Sequence, residues 1–237
     1  MQNKKTINIT KPIASIITCL VLAVILITSV SLIAFTSDKY YEHEFRKYNV
    51  LADVNSDLSM DEAVLVLSNT NKYLKGDSDK LSAKVCLNGT SADFFSQRER
   101  HHLKDVRKLI SNSFTLRNIF AGIIAIYLLW FTFHGKKRAR EISLTFIATS
   151  IFVNAFAAVA AFIISLDFDK WFIKFHQVLF DNNDWLLNPN QDNLINLLPE
   201  EFFMDTVLYS LVVYAAAVTL LIVFNILMYK RSGKAKN

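Results

Sequence analysis

Four stretches of the chain alternate with three polar ones, and the four contain no Asp, Glu, Lys or Arg: Pro12–Phe35, Asn118–His134, Ile142–Ser165 and Thr206–Tyr229. A helix needs roughly 20 apolar residues to cross the hydrocarbon core of a bilayer, and a charge at its centre costs about 2.5–3.5 kcal/mol on insertion scales. The pattern predicts four membrane-spanning helices. The first run exceeds the roughly 7–15 apolar residues of a cleaved signal. Thr18 also stands where a lipoprotein signal wants a small residue before its cysteine, here Cys19, so the run reads as an uncleaved anchor.

The polar stretches have helical periods of their own. Ser59-x-x-Glu62 and Ser96-x-x-Glu99 both have capping-box spacing, in which each side chain satisfies the other's orphan amide. The first box opens an amphipathic helix (Ala63, Val64, Val66, Leu67, Tyr73, Leu74) that stops at Gly76. The second opens a helix running through HHLKDVRKLI toward the second apolar run. Asp77 to Thr90 reads as loop, with a little extended structure around Val85. After the third run, Phe168, Trp171, Phe172, Phe175 and Leu179 fall at helical spacing. Polar turns follow, then a short helix around Leu194, Ile195 and Leu198. Pro199-Glu200-Glu201 opens the fourth run, where proline suits a first turn and carboxylates its positive end. This aromatic-rich segment is expected to lie along the bilayer surface beneath the exterior cap.

Composition agrees. Of 237 residues, 52% are hydrophobic and 13% aromatic, while glycine and proline together fill eight positions, too few for the loops of a soluble globule. Disorder, a disulfide scaffold and an ordinary soluble enzyme are excluded. The net charge of +5 is not evenly spread: eleven Lys/Arg and one acid (Glu141) lie at the two ends and in the loop 135–141. The remaining fifteen bases and twenty acids lie in 36–117 and 166–205. Read by the positive-inside rule, this is an all-α membrane protein with both termini cytoplasmic and a mainly helical extracytoplasmic cap, not a nucleic-acid binder. The expected order is a cytoplasmic N-terminus (1–11), a span (12–35), the cap (36–117), a span (118–134), a cytoplasmic loop (135–141) and a span (142–165). An extracytoplasmic interfacial segment (166–205), a span (206–229) and a cytoplasmic tail (230–237) complete it.

No nucleophile elbow, Ser-x-x-Lys, P-loop or H-E-x-x-H motif is present. Cys86 is a lone exterior thiol without a neighbouring base. Asn88-Gly-Thr matches a glycosylation sequon, but nothing else suggests a eukaryotic secretory setting. Five histidines remain. His43 and His134 read as solvated surface. On the helix after Ser96, Leu103, Val106, Leu109 and Ile110 form one stripe; His102 lies about 50° from its centre and His101 about 150°. His102 therefore faces the packing side and His101 water. His176 falls within the aromatic face of Phe172, Phe175, Leu179 and Phe180. Two inward imidazoles are either satisfied core histidines or acid–base groups that titrate near pH 6.5. With Glu99 and Asp105 nearby they also suggest a zinc site, although no tight ligand spacing supports one. Asn154, mid-way along the third run, is either helix–helix glue or a site residue. The short Ala157-x-x-x-Ala161 spacing favours glue.

Two segments carry a resemblance: His102-Leu-Lys-Asp105-Val106, and Phe175-His176-x-x-x-Phe180 through Trp185-Leu, Pro189, Asp192-x-Leu-Ile195, Leu198-Pro199 and Phe202-Phe203-x-Asp205. With the four-span plan, they resemble the lipoprotein intramolecular transacylase family of bacterial plasma-membrane proteins. The resemblance implies an acyltransferase acting on diacylglyceryl-modified lipoproteins. It would move the sn-2 acyl chain onto the amino group of the same N-terminal cysteine and leave the lyso form. It implies His102 and His176 as the catalytic pair; no metal or cofactor is expected, and Glu99 and Asp105 are expected in support. Phe172, Phe175, Phe180, Trp185 and Phe203 are expected to line the substrate site or to serve as plain interfacial anchors. Membrane lipid is the other expected partner. The rival readings are a metal-dependent exterior hydrolase and a non-catalytic four-span sensor.

Overall fold

The computed structural model describes residues 17–18, 20–26, 28–30, 37–52, 58–87, 89–134 and 139–234. Ser37 caps helix α1 (Asp38–Lys47) by accepting from the Tyr40 amide, with Asp38 in the first turn and Arg46 and Lys47 in the last, the charge order that a helix dipole favours. One 3-10 turn, Val50–Ala52, follows. Helix α2 (Met60–Lys75) begins on the Ser59–Glu62 capping box with both hydrogen bonds made. It ends at Gly76, whose φ of +88° is the left-handed conformation that glycine adopts without a Cβ clash.

The expected loop after Gly76 is in part a hairpin. Strands β1 (Lys84–Leu87) and β2 (Thr90–Asp93) pair antiparallel, with Val85 opposite Ala92 and Leu87 opposite Thr90. The reason is local: an Asn-Gly pair between two short runs is a strong hairpin signal, and Gly89 has the positive φ (+76°) that primed turns need. Asn88 itself, with its sequon, lies outside the described residues. Glu62 Oε1 accepts from the Cys86 amide at 3.1 Å and so ties the hairpin to the start of α2.

Helix α3 (Gln97–His134) runs unbroken through the boundary expected between cap and second span. Then come α4 (Ala139–Ser165), α5 (Phe168–Leu179) capped by Asp167, a single turn α6 (Leu194–Leu197), and α7 (Glu200–Lys234). Helix α7 starts six residues before the expected fourth span. Two described stretches are long and apolar enough to cross a membrane, Ile147–Ser165 and Glu200–Val223. The described part of the first apolar run is also helical, and the rest of it, with Cys19, lies outside the described residues. So does the loop 135–138, and so does the side chain of His134.

The chain divides into two compact units. One comprises the chain up to Thr28, Arg117–Leu166 and everything from Ser210 onward. Its helix α4 turns Phe152, Phe156 and Phe162 outward, 64–70% exposed, and buries Ser150 and Thr149. That inversion of the soluble pattern suits a lipid-facing helix, whose backbone groups are satisfied internally. Asn154, expected as glue between helices, donates its amide to the Ser150 carbonyl of its own helix at 2.7 Å.

The other unit, Ser29–Leu116 with Asp167–Tyr209, has an ordinary hydrophobic core built on Tyr41, Phe45, Val66, Leu67, Phe94, Leu103, Leu197 and Phe202. Tyr41 Oη donates to Asn71 at 2.9 Å within it. Asp205, at the head of α7, accepts from Tyr48 Oη at 2.5 Å and from Lys47. Beside it Glu44 is buried, and burial, then the hydrogen bond and charge of Asp205, push its carboxyl up.

Candidate active site

His102 owes its place to the start of α3. Ser96 Oγ accepts from the Glu99 amide at 3.2 Å, and the Ser96 amide donates to Glu99 Oε2 at 2.6 Å. Leu103 packs into the core at 5% exposure, which sets the rotation of the helix. His102 is left half-buried, and His101 turns outward at 58% side-chain exposure, 3.7 Å from Asp184. The face argument made from the sequence holds for both. His43 is likewise exposed.

His176 lies near the end of α5, 7% exposed. Its Nδ1 is 2.8 Å from the carbonyl oxygen of Phe172, one helical turn back. A carbonyl only accepts, so Nδ1 carries the hydrogen, and in the neutral ring Nε2 keeps its lone pair. The His102 and His176 ring centroids are 5.9 Å apart. Aromatic rings enclose the pair. Trp185 stacks on His176 at 5.0 Å, Phe172 lies 4.3 Å from it, Phe175 meets it edge-on at 5.3 Å, and Phe180 touches both imidazoles, at 5.2 and 5.7 Å. Phe203 packs against Phe172 at 5.5 Å. Phe180 and Trp185 are buried, whereas Phe175 remains 54% exposed.

The apolar setting disfavours charge on either ring. Burial first, then the charge of His176, draws His102 down to about 4, against the opposing pull of Asp105 and Asp184. Burial also lowers His176, opposed by its bond to the Phe172 carbonyl. Both imidazoles are neutral at pH 7. The described residues gather no group of three His, Cys, Asp or Glu side chains around a common point.

Of the two carboxylates expected in support, Glu99 is wholly buried and faces backbone amides: Ser96, and Leu194 at 2.5 Å. Burial pushes its carboxyl up in spite of these bonds. Asp105 accepts from Asn182 at 2.8 Å and so holds the turn after α5 against α3. Sequence reasoning missed the remaining stitches. The buried Asp192 accepts from Ser96 Oγ at 2.6 Å and from the Asn188 amide at 2.8 Å. Asn193 donates to the Phe94 carbonyl at 2.7 Å. Asp192 stands within the resembling segment, and its pairing across 96 residues leaves no local mark.

Comparison with known proteins gives this arrangement its context. The family model described as lipoprotein intramolecular transacylase Lit matches residues 15–203. The chain belongs to that family. Members are intramolecular lipoprotein transacylases, so the chain is an acyltransferase of the membrane. Among solved structures, it is similar to the membrane-integral lipoprotein intramolecular transacylase Lit of Bacillus cereus, at 21% identity over 96% of this chain and 97% of that one, with a TM-score of 0.71. Two variants of the Bacillus cereus protein, one with a histidine-to-arginine and one with a histidine-to-alanine substitution, align at 22% identity and a TM-score of 0.62. Each alignment covers 94% of this chain, with 93% and 95% of the respective variant. These likenesses are likenesses of fold. No curated protein matches the chain.

Proposed function

We propose that this transacylase moves the sn-2 O-acyl chain of a diacylglyceryl-modified lipoprotein onto the α-amino group of its own N-terminal cysteine, with His176 as base and His102 as its proton-returning partner. The observation that carries the reading is the His102–His176 pair inside the aromatic enclosure, with His176 Nε2 left as a free lone pair by the Nδ1 bond to Phe172. The substrate enters with an ammonium group. It first loses one proton to solvent; the freed amine then attacks the sn-2 ester carbonyl, and His176 Nε2 takes a second proton from the nitrogen as the C–N bond forms. The C–O bond then breaks, and the leaving glyceryl oxygen receives the proton through His102. Neither ring gains or loses a proton over the cycle. A charge on His176 opposes one on His102, so the two rings are not charged together. No protein nucleophile is required, since amine and ester belong to one molecule; well-oriented intramolecular reactions reach effective molarities of about 10⁵–10⁸ M. Phe172, Phe175, Phe180 and Trp185 exclude water from the reacting atoms, with Phe203 behind Phe172.

The same reading puts the chain in a bacterial plasma membrane with four spans, both termini cytoplasmic and the histidine pair on the extracytoplasmic side. The basic residues of 1–11, 135–141 and 230–237 support it, as do the four uncharged runs. The deciding experiment is mass spectrometry of a reporter lipoprotein's N-terminal peptide, from a host without such an activity, before and after this protein is expressed. N-acyl, lyso-glyceryl cysteine is the expected product. An unchanged diacylglyceryl cysteine sinks the proposal.

A further inference from the structure

We infer that a groove beside the histidine pair seats the polypeptide following the acylated cysteine, and that Asp181 makes it prefer basic over acidic residues there; the inference rests on the transacylase reading. The groove, about 370 Å³ in volume, opens at the C-terminal end of α5 and is lined by Gln177, Phe180, Asp181, Asn182, Asn183 and Trp185 among others. Phe180 and Trp185 form its inner wall and also lie 5.7 and 5.0 Å from the His176 ring, so groove and pair are continuous. Its volume is at the lower end of the range for small-ligand sites.

The chemistry of the lining selects the occupant. A diacylglyceryl cysteine brings acyl chains, a glyceryl group and a peptide to the reacting atoms. Ile173, Phe180, Trp185 and Leu186 make one side of the groove apolar, but the other carries amides and a carboxylate, from which an acyl chain has nothing to gain. An extended peptide has a donor and an acceptor at each residue, and the exposed side-chain amides of Gln177 and Asn183 each offer both. Asn182 is engaged by Asp105 and by the Asp184 amide, so it holds the shape of the wall. Asp181 is the only ionisable residue in the lining, and it extends the negative end of the α5 dipole. The nearby Arg98 has its guanidinium on the Leu186 carbonyl, 3.2 Å away, at the rim. Basic residues just after the cysteine meet attraction from Asp181, and acidic ones meet repulsion.

The test uses the full-length protein in lipid nanodiscs and three synthetic diacylglyceryl-cysteinyl peptides. These carry Lys, Ser or Asp at the two positions after the cysteine. Wild type should favour the Lys over the Asp peptide by about three- to tenfold in kcat/KM, the scale of an exposed charge pair. Asp181→Asn should bring that ratio near one, and Asp181→Lys should invert it. An identical ratio in wild type and Asp181→Lys, with lyso product formed from all three peptides, overturns the groove assignment and leaves the transacylase reading standing. No lyso product from any peptide with wild type overturns both.

Discussion

Helices α2 and α3 open with the same capping box, and in each the glutamate also reaches a second backbone amide, outside the box: Cys86 from Glu62 at 3.1 Å, Leu194 from Glu99 at 2.5 Å. Their surroundings differ. Hydrogen bonds from the Ser59 amide and hydroxyl and the Cys86 amide hold the Glu62 carboxyl below its usual range, whereas burial lifts that of the wholly buried Glu99 above it. Six residues after the box serine, α2 presents Leu65, 46% exposed, and α3 presents His102. The box starts a helix in either setting. Only where its glutamate binds the segment after α5 do imidazoles from two distant parts of the chain, His102 and His176, come together.

The largest expected break between the two helices is in turnover. His102→Ala and His176→Ala should each lower lyso-product formation about 10²–10⁴-fold, the range for a positioned acid or base. The double variant should fall short of the product of the single losses, because the two act as a unit. Leu65→Ala on α2 and His101→Ala on the wet side of α3 should be nearly silent in the same assay. A dead His101→Ala beside an active His102→Ala refutes the assignment.

Next comes stability. Glu99→Ala strands two amides, at Ser96 and Leu194, and should cost roughly 3 kcal/mol. Glu62→Ala lets water replace the lost bonds and should cost a small fraction of that. Thermal unfolding in detergent micelles decides this, and equal losses refute the contrast.

The smallest effect is in the pH dependence, where the two glutamates should act with opposite sign. Glu62 is depressed in the folded state, so its contribution is present above the unfolded value of about 4.5 and is lost as pH falls. Glu99 is raised, so the folded state holds that proton longer and stability declines as pH rises above about 4.5. Glu62→Gln should therefore flatten the acid limb of the stability profile, and Glu99→Gln the decline above it. The histidine pair adds a loss of its own as pH falls from about 6.5 toward 4, since both rings are lowered in the fold. Parallel profiles for the two Gln variants contradict the opposing shifts.

What the sequence made legible follows the range of each interaction. Both capping boxes, the Gly76 stop and the opposite facing of His101 and His102 follow from spacings within about ten residues, and the structure has them all. The burial of His176 followed from its aromatic face. The hairpin was legible too, in Asn88-Gly89, but the polar composition of 77–90 masked it. The clasp of Ser96 and Glu99 on Asp192 and Leu194 was not, because partners 95 and 96 residues apart share no periodicity. For the same reason Glu99 was expected beside an imidazole and is found under a loop.

That clasp also sets a timetable for synthesis. A ribosome adding 5–20 residues per second needs roughly 5–20 s to pass from Glu99 to Leu194. Throughout that interval the nascent chain holds an ionised glutamate and a half-finished helix start, with the amide that will cover them still unmade. His102 waits equally long for His176. The two imidazoles therefore come together only after the third apolar run has been made, and a chain halted before that point carries His102 without His176.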